Sequence, residues 1–309
     1  MPLKNIALEN ESAAKRTVIM LFFSHKNIII VLFGGKNMFF VLDGKKLIKR
    51  VIFFVCGIFC FLTAVNVIKP DAAAVSADTS KTAYVAIVID DFGYDGEGTD
   101  SMIALNIPFT AAVMPFSDKS YENVSKLQSA GKEMILHMPM ESLTGKREWV
   151  GEKGIFKSMS DEEIKQRVQE ALAVVTPAKG INNHMGSAIM EDERCFSAVM
   201  DVAAQKGLLF IDSMTTANTV AEAVCQKKGV PLLKRDVFLD STEDINVVKK
   251  QLLTTAEIAK EKGYALAIGH VGPEGGNITA EAIKQMAPQL EQQGIVFVTV
   301  SQLAEILSK

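Results

Sequence analysis

Cysteine, histidine and tryptophan are scarce in this sequence of 309 residues, with four, four and one respectively. Cys56 and Cys60 fall inside an apolar run, with no small-residue lipid-attachment pattern before either. Only Cys195 and Cys225 remain for the rest of the chain. That number excludes a disulfide-stapled scaffold and a cysteine-rich zinc module. The two could form one disulfide in an oxidising compartment, but each sits in a helix-like stretch and reads as a buried thiol. The chain also lacks the basic excess that nucleic acid demands. Of its 33 Lys/Arg and 36 Asp/Glu, nine and three fall in residues 1–50, leaving 24 and 33 and a net charge of about −9 beyond them. Nucleic acid is therefore not an expected partner.

Long hydrophobic runs are equally rare. One stands out, VIFFVCGIFCFLTAVNVI over 51–68, uncharged and preceded by the basic KKLIKR. Small residues, Ala72 to Ala77, follow within a linker or cleavage region at 69–82. A basic flank, an apolar core and small residues match a secretory signal peptide. The run is also close to the minimum for a spanning helix, so an uncleaved anchor stays open. Either way the positive-inside rule places the following domain outside the cytoplasm, in a periplasmic or other extracytoplasmic space. Membrane contact is expected only through this segment. Within the basic N-terminal segment 1–50, the apolar stretch of residues 1–37 is broken by His25, Lys26 and Lys36 and makes a poor span. Met38 offers a conventional signal start, so residues 1–37 read as an upstream extension.

From residue 83 to 309 the pattern is that of one domain. Short apolar runs at 84–89, 109–114, 133–138, 180–183, 208–211, 230–233, 265–268 and 295–300 read as strands. Amphipathic stretches separate them. SMSDEEIKQRVQEALAVV opens with Ser160 and Glu163, a capping box, and keeps Ile164, Val168, Leu172 and Val175 on one face. DINVVKKQLLTTAEIAKEKG and TAEAIKQMAPQLEQQG each end on a glycine suited to a helix terminus. Strand and helix in alternation predict a parallel α/β fold, either a barrel or an open doubly wound sheet. MESLTGKREWVGEKGIFKSM reads as a long loop beside the site, and the glycine-rich GPEGGN as a loop without a phosphate-binding pattern.

The polar residues gather at strand ends. Asp90 and Asp91 follow the first strand, His137 closes the third, and His184 follows the fourth, behind Asn182 and Asn183. Asp212 follows the fifth, Arg235 and Asp236 the sixth, and His270 ends the seventh. In parallel α/β folds the C-terminal strand ends share the face where ligands bind, so these residues are expected to converge. An Asp with two His and an open position is a recurrent set for a catalytic divalent metal, with zinc favoured and iron, cobalt or nickel admissible. Asn182 and Asn183 either bind substrate or satisfy loop backbone groups. Arg235 and Asp236 could be no more than a structural ion pair. Adjacent residues of a regular strand point to opposite faces, so Asp90 and Asp91 can share a site only if the strand ends at Ile89 and the chain turns.

The segments IDDFGY, GKEMILHMPME, GINNHMGS, FIDSMTT, KRDVFLD and IGH together give a specific resemblance over nearly the whole domain. The chain resembles the divergent polysaccharide deacetylase family, an offshoot of the metal-dependent polysaccharide deacetylases. The resemblance implies an irregular (β/α) barrel, with Asp90 as general base and Asp91 as metal ligand. His137 fits the first of two ligand histidines that the broader family spaces four residues apart, but Glu141 stands at the second. Glu141 would ligate through oxygen or bond a nearby loop, or His184 would replace the missing imidazole; His184 is the preferred reading. His270 matches the histidine that protonates the leaving group. The family's orienting Arg and Asp have no clean counterparts, and Arg235, Asp236 or Asp212 stand as substitutes.

The implied activity is hydrolysis of an N- or O-acyl group on cell-envelope carbohydrate. The alternative is a catalytically weak or inactive glycan-binding or envelope-organising protein on the same barrel. Glu141 favours the second reading; Asp90, Asp91 and His270 favour the first. A metallophosphoesterase is disfavoured, because the cluster lacks the extra carboxylates of a two-metal site.

Overall fold

A computed structural model divides the chain into two compact units, residues 1–77 and 78–309. The described residues are 18–23, 28–33 and 40–43 in the first unit, and 82–309 except 95 and 274 in the second. The signal or anchor run 51–68 and most of the linker after it lie outside the described residues. In the first unit, strands β1 (Val18–Phe23), β2 (Ile28–Phe33) and β3 (Phe40–Asp43) pair antiparallel in chain order. Among the described residues no helix is long and apolar enough to cross a membrane.

The second unit is built on a parallel sheet of nine strands. They are β4 (Ala83–Phe92), β5 (Thr110–Val113), β6 (Glu133–Met140), β7 (Gly180–Met185), β8 (Leu209–Asp212), β9 (Leu232–Lys234), β10 (Val237–Phe238), β11 (Tyr264–His270) and β12 (Ile295–Val298). Their order is β10–β11–β4–β5–β6–β7–β8–β9, with β12 also paired to β4. The edge strands β9 and β10 are separated in sequence only by Arg235 and Asp236. The Arg235 N–H donates to the Asp212 carbonyl at 3.0 Å, and the Asp236 N–H to the Leu266 carbonyl at 2.8 Å. One short segment thus pairs first with β8 and then with β11, which curls the sheet round on itself. The fold is the irregular (β/α) barrel, not an open doubly wound sheet. β10 escapes sequence reading because two residues carry no period.

Side-chain alternation sorts the core into two layers. Ala86, Val88, Ala112, Ile135, Leu209, Ile211, Leu233, Leu266 and Ile268 pack inside the barrel. Their neighbours Val85, Ile87, Ile89, Val113, Leu136, Phe210 and Ala267 pack outward against the helices. Burial on both faces explains why these strands read as continuous apolar runs. Phe196, on the helix Glu193–Gln205, meets Phe210 of β8 edge to face at 4.9 Å, holding helix to strand. The helix Asp161–Val174 begins with the full capping box of Ser160 and Glu163, and Ile245–Lys262 runs from an Asp244 cap to Gly263. Cys195 and Cys225 are free and buried. Burial pushes their thiols up to about 11 and about 12, so both are unreactive packing residues.

The long irregular stretch after β6 is tied back to it. The Ile155 N–H donates to the Pro139 carbonyl, and the Glu141 N–H donates to the Ile155 carbonyl, at 2.9 and 2.8 Å. It carries one short helix, Arg147–Val150.

Candidate metal centre

Along β4 the inner positions are Ala86, Val88 and Asp90, so Asp90 enters the barrel by simple alternation. Asp91 would then face the helices. The expected strand end at Ile89 does not occur, for β4 continues to Phe92. Its pairing with β5 instead slips between Ile89 and Phe92, and Asp91 takes a left-handed backbone with φ 68°. A bulge of this kind re-aims the extra side chain. The left-handed conformation costs an aspartate about 1 kcal/mol, which the surrounding packing must offset. The two carboxylates share one site through a bulge, not through a turn.

Asp91 Oδ1 lies 3.2 Å from His137 Nε2 and 3.2 Å from His184 Nδ1, and those two nitrogens are 3.1 Å apart. Despite these distances, Oδ1 is buried with no aligned hydrogen-bond donor. Burial alone would raise the Asp91 carboxyl, but the two imidazoles hold it below the ordinary carboxylate range. Asn182 fixes the state of the centre. Its amide nitrogen donates to Asp90 Oδ1 at 2.8 Å, so its oxygen faces His137 Nδ1 at 2.7 Å. An ionised Asp90 can only accept, which orients the amide, which in turn requires the proton on His137 Nδ1. His137 Nε2 is then the ring nitrogen turned toward Asp91 and His184. Burial opposes charge on this ring, but Asp90 and Asp91 outweigh it and raise its pKa above the ordinary value. Three donors within 4.8 Å of one another, with an orphaned buried oxygen among them, fit a divalent cation. Among the described residues Asp91, His137 and His184 are the ones so grouped.

Asp90 is buried beside this cluster, its Oδ2 3.7 Å from His137 Nε2. Desolvation raises its pKa, against the pull of His137 and His270. His270 sits opposite Asp90 in the β11–β4 register. Its Nδ1 bonds Asp240 Oδ1 at 2.8 Å, and Asp240 Oδ2 accepts from the His270 N–H at 2.6 Å and the Thr279 hydroxyl at 2.9 Å. Burial would lower the His270 pKa, but Asp240 and Asp90 outweigh it and raise it to about 9. Asp240 needs bare backbone beside it: a Cβ at Gly275 would lie 2.1 Å from its Oδ2. Sequence reading singled out Arg235 and Asp236 in KRDVFLD and missed this last acid. No sequence signal marked it, because the strand before it, β10, is only two residues long.

The remaining candidates fall elsewhere. Asn182 and Asn183 are buried, and Asn182 has both amide ends bonded inside the protein rather than presented to substrate. Asn183 accepts from the Ser213 N–H at 3.0 Å and donates to the Met185 carbonyl at 2.8 Å, holding the ends of β7 and β8. The Glu141 carboxylate lies outside the donor cluster and accepts from the Lys157 N–H at 2.7 Å; it clamps the loop. Asp212 follows the inward Ile211 and so turns outward with Phe210, where Oδ1 caps the Met214 N–H at 2.8 Å. Asp236 binds Lys262 at 2.6 Å and the Leu266 N–H at 2.8 Å, away from the barrel interior. It is no ion pair for Arg235, whose guanidinium donates to the Ser213 and Met214 carbonyls at 2.8 and 3.2 Å.

A family model described as divergent polysaccharide deacetylase matches residues 87–304. The uncharacterized protein YibQ of Escherichia coli is 32% identical over 206 residues, covering 67% of this chain and 64% of that protein. The chain thus matches somewhat less than two thirds of that relative's length. An uncharacterized protein of Haemophilus influenzae is 29% identical over 68% of this chain and 75% of its own. The crystal structure of an uncharacterized Agrobacterium tumefaciens protein superposes with a TM-score of 0.67 at 21% identity, covering 72% of this chain and 89% of that one. That likeness extends to the fold alone. The family match runs from within β4 to the C-terminal helix and takes in every residue of the centre: the chain belongs to the divergent polysaccharide deacetylase family.

Proposed function

We propose that this protein is an exported, metal-dependent hydrolase that removes acyl groups, acetyl above all, from an amide or ester on cell-envelope carbohydrate. The observation that carries the reading is the close cluster of Asp91, His137 and His184, with a buried carboxylate on one side and a carboxylate-held imidazole on the other. A divalent ion held there, zinc by preference, would polarise the acyl carbonyl and acidify the attacking water. Asp90, its basicity raised by burial, takes the proton of that water at its carboxylate, while Asn182 keeps the carboxylate in place. His270 is protonated at neutral pH. With Nδ1 committed to Asp240, its transferable proton is the one on Nε2, which passes to the leaving nitrogen or oxygen as the acyl bond breaks. The products are the carboxylic acid and the free amine or hydroxyl.

Carbohydrate as substrate is supported by family membership and by a cleft of about 430 Å³ at the barrel mouth, lined by Tyr94, Phe116, Pro139, Val150 and Lys153. Pro139, one of its lining residues, is the register partner of His184 on the neighbouring strand. An aromatic wall with polar neighbours suits a sugar ring. Export rests on the basic flank and apolar run at 45–68. The test is metal analysis of the purified protein, then acetate release from acetylated oligosaccharides. Stoichiometric metal and turnover that falls at least about 100-fold in Asp90→Asn are expected. Full activity in Asp90→Asn refutes the base. Metal retained in His137→Ala/His184→Ala refutes the centre.

A further inference from the structure

Arg235 is unused by this mechanism and is built with care. It follows the inward-facing Leu233 at the spacing of two, and its guanidinium is fixed on three sides. Nε and Nη2 donate to the Ser213 and Met214 carbonyls, and the plane stacks on Phe238 at 3.6 Å. The turn that aims those carbonyls costs a left-handed Met214, φ 53°. Among the described residues no carboxylate oxygen lies within 4.0 Å of the guanidinium, and Nη1 makes no hydrogen bond. The neighbouring cations are satisfied: Lys234 bonds Glu222 and Lys262 bonds Asp236. Asp212, Asp236 and Asp90 attract this cation from beyond contact, and burial still outweighs them, so a half-buried, immobilised guanidinium with one open edge and no carboxylate touching it is suited to take a ligand's anion.

Its place says which ligand. The Phe238 ring beneath it is 5.7 Å from the His270 ring, so the open edge lies one ring away from the proposed acid. We infer that Arg235 recognises a carboxylate on the carbohydrate, carried by a sugar unit next to the acylated one. A planar guanidinium matches a carboxylate, and a single positive charge already partly offset by nearby acids matches a monoanion better than a phosphate dianion. This rests on the hydrolase reading above and adds its substrate class: an acidic glycan, bearing a uronic acid or a carboxyalkyl ether.

The test is calorimetry on the full chain with two deacylated oligosaccharides alike except in charge, an oligouronide and its carboxyl-reduced neutral counterpart. The wild-type protein is expected to bind the acid about 10- to 100-fold more tightly, the value of a charge-assisted hydrogen bond, with the advantage shrinking in salt. In Arg235→Gln the acid-to-neutral ratio should fall to about one, and Arg235→Lys should keep part of it. Equal affinity of the wild-type protein for both sugars overturns the inference and leaves the hydrolase reading standing. A ratio unchanged in Arg235→Gln, with both affinities weakened alike, also overturns it and makes Arg235 a positioning residue. Failure of both sugars to bind overturns the inference together with the carbohydrate reading.

Discussion

The barrel holds a carboxylate at each end, and the two are treated in opposite ways. At the floor, Glu133 opens β6 and accepts from the hydroxyls of Thr110 and Thr299 at 2.8 and 2.9 Å, from the Ser301 N–H at 3.2 Å and from the Ser301 hydroxyl. At the mouth, Asp91 Oδ1 has two imidazole nitrogens at 3.2 Å but no aligned hydrogen bond. The backbone divides in the same way. Among the described residues the non-glycine positions with positive φ are Asp91, Met185 and Met214, each at the C-terminal end of an inner strand or just past it. Saturated polar groups on relaxed backbone are finished structure. The orphaned Asp91 oxygen on a left-handed backbone is the opposite case, and it is where the proposed metal would sit.

Removing a ligand should break this contrast most visibly. His137→Ala is expected to weaken zinc binding by more than about 100-fold, read by competition with a chelating dye, while Glu133→Ala leaves the affinity unchanged. Equal losses in the two variants would erase the distinction between mouth and floor. Asn182→Ala should cost about 10- to 100-fold, because the His137 tautomer is no longer fixed. An Asn182→Ala protein that binds zinc as the wild type does would show that the tautomer needs no partner.

The second test concerns the imidazole across the mouth. The His270 pKa is raised to about 9 from an ordinary 6.5, so its pairing with Asp240 stabilises the fold fully below pH 6.5. That contribution is lost as pH rises through 9. In metal-free protein the unfolding midpoint should therefore decline across this window, and Asp240→Asn should flatten the decline. Nuclear magnetic resonance titration of the His270 ring should show its pKa falling below 9 in the variant, since burial opposes the charge and only Asp90 and Asp91 remain to favour it. A ring that still titrates near 9 in Asp240→Asn would assign the shift to Asp90 instead.

Much of this was legible beforehand, for reasons that differ by residue. The inner strands announce themselves because burial on both faces forces unbroken apolar runs, and the strand-end polar residues stand out against them. Asp91 joins Asp90 at one site, as the sequence suggests, but through a bulge and not a strand end, because a bulge leaves no mark in composition. Asp212 was misplaced because being at a strand end does not say which face a side chain takes. Ile211 on the inner face decides that, and only pairing reveals it. Asp240 was passed over because β10 is too short to read, so nothing signalled that an acid two residues later returns to the mouth.

At the floor, Glu133→Ala removes the acceptor shared by three residues and should lower stability by about 2 kcal/mol, measured by urea unfolding. Glu133→Gln, which keeps one acceptor oxygen, should cost less.

The smallest effect isolates strain at the mouth. Replacing Met214 by alanine or by glycine removes the same contacts, and the two variants differ in the freedom of the backbone. Glycine is ordinarily the less stable choice, by roughly 0.5–1 kcal/mol, because its unfolded chain is more disordered. At φ 53° the order should reverse, since the left-handed region penalises alanine by about 1 kcal/mol and glycine not at all. Met214→Gly is therefore expected to equal or exceed Met214→Ala in stability, while an alanine-to-glycine exchange at exposed Ala204 in the helix Glu193–Gln205 shows the usual order. If Met214→Ala proves the more stable, the turn that aims the Ser213 and Met214 carbonyls at Arg235 is relaxed. The contrast between the two ends of the barrel would then rest on the orphaned carboxylate alone.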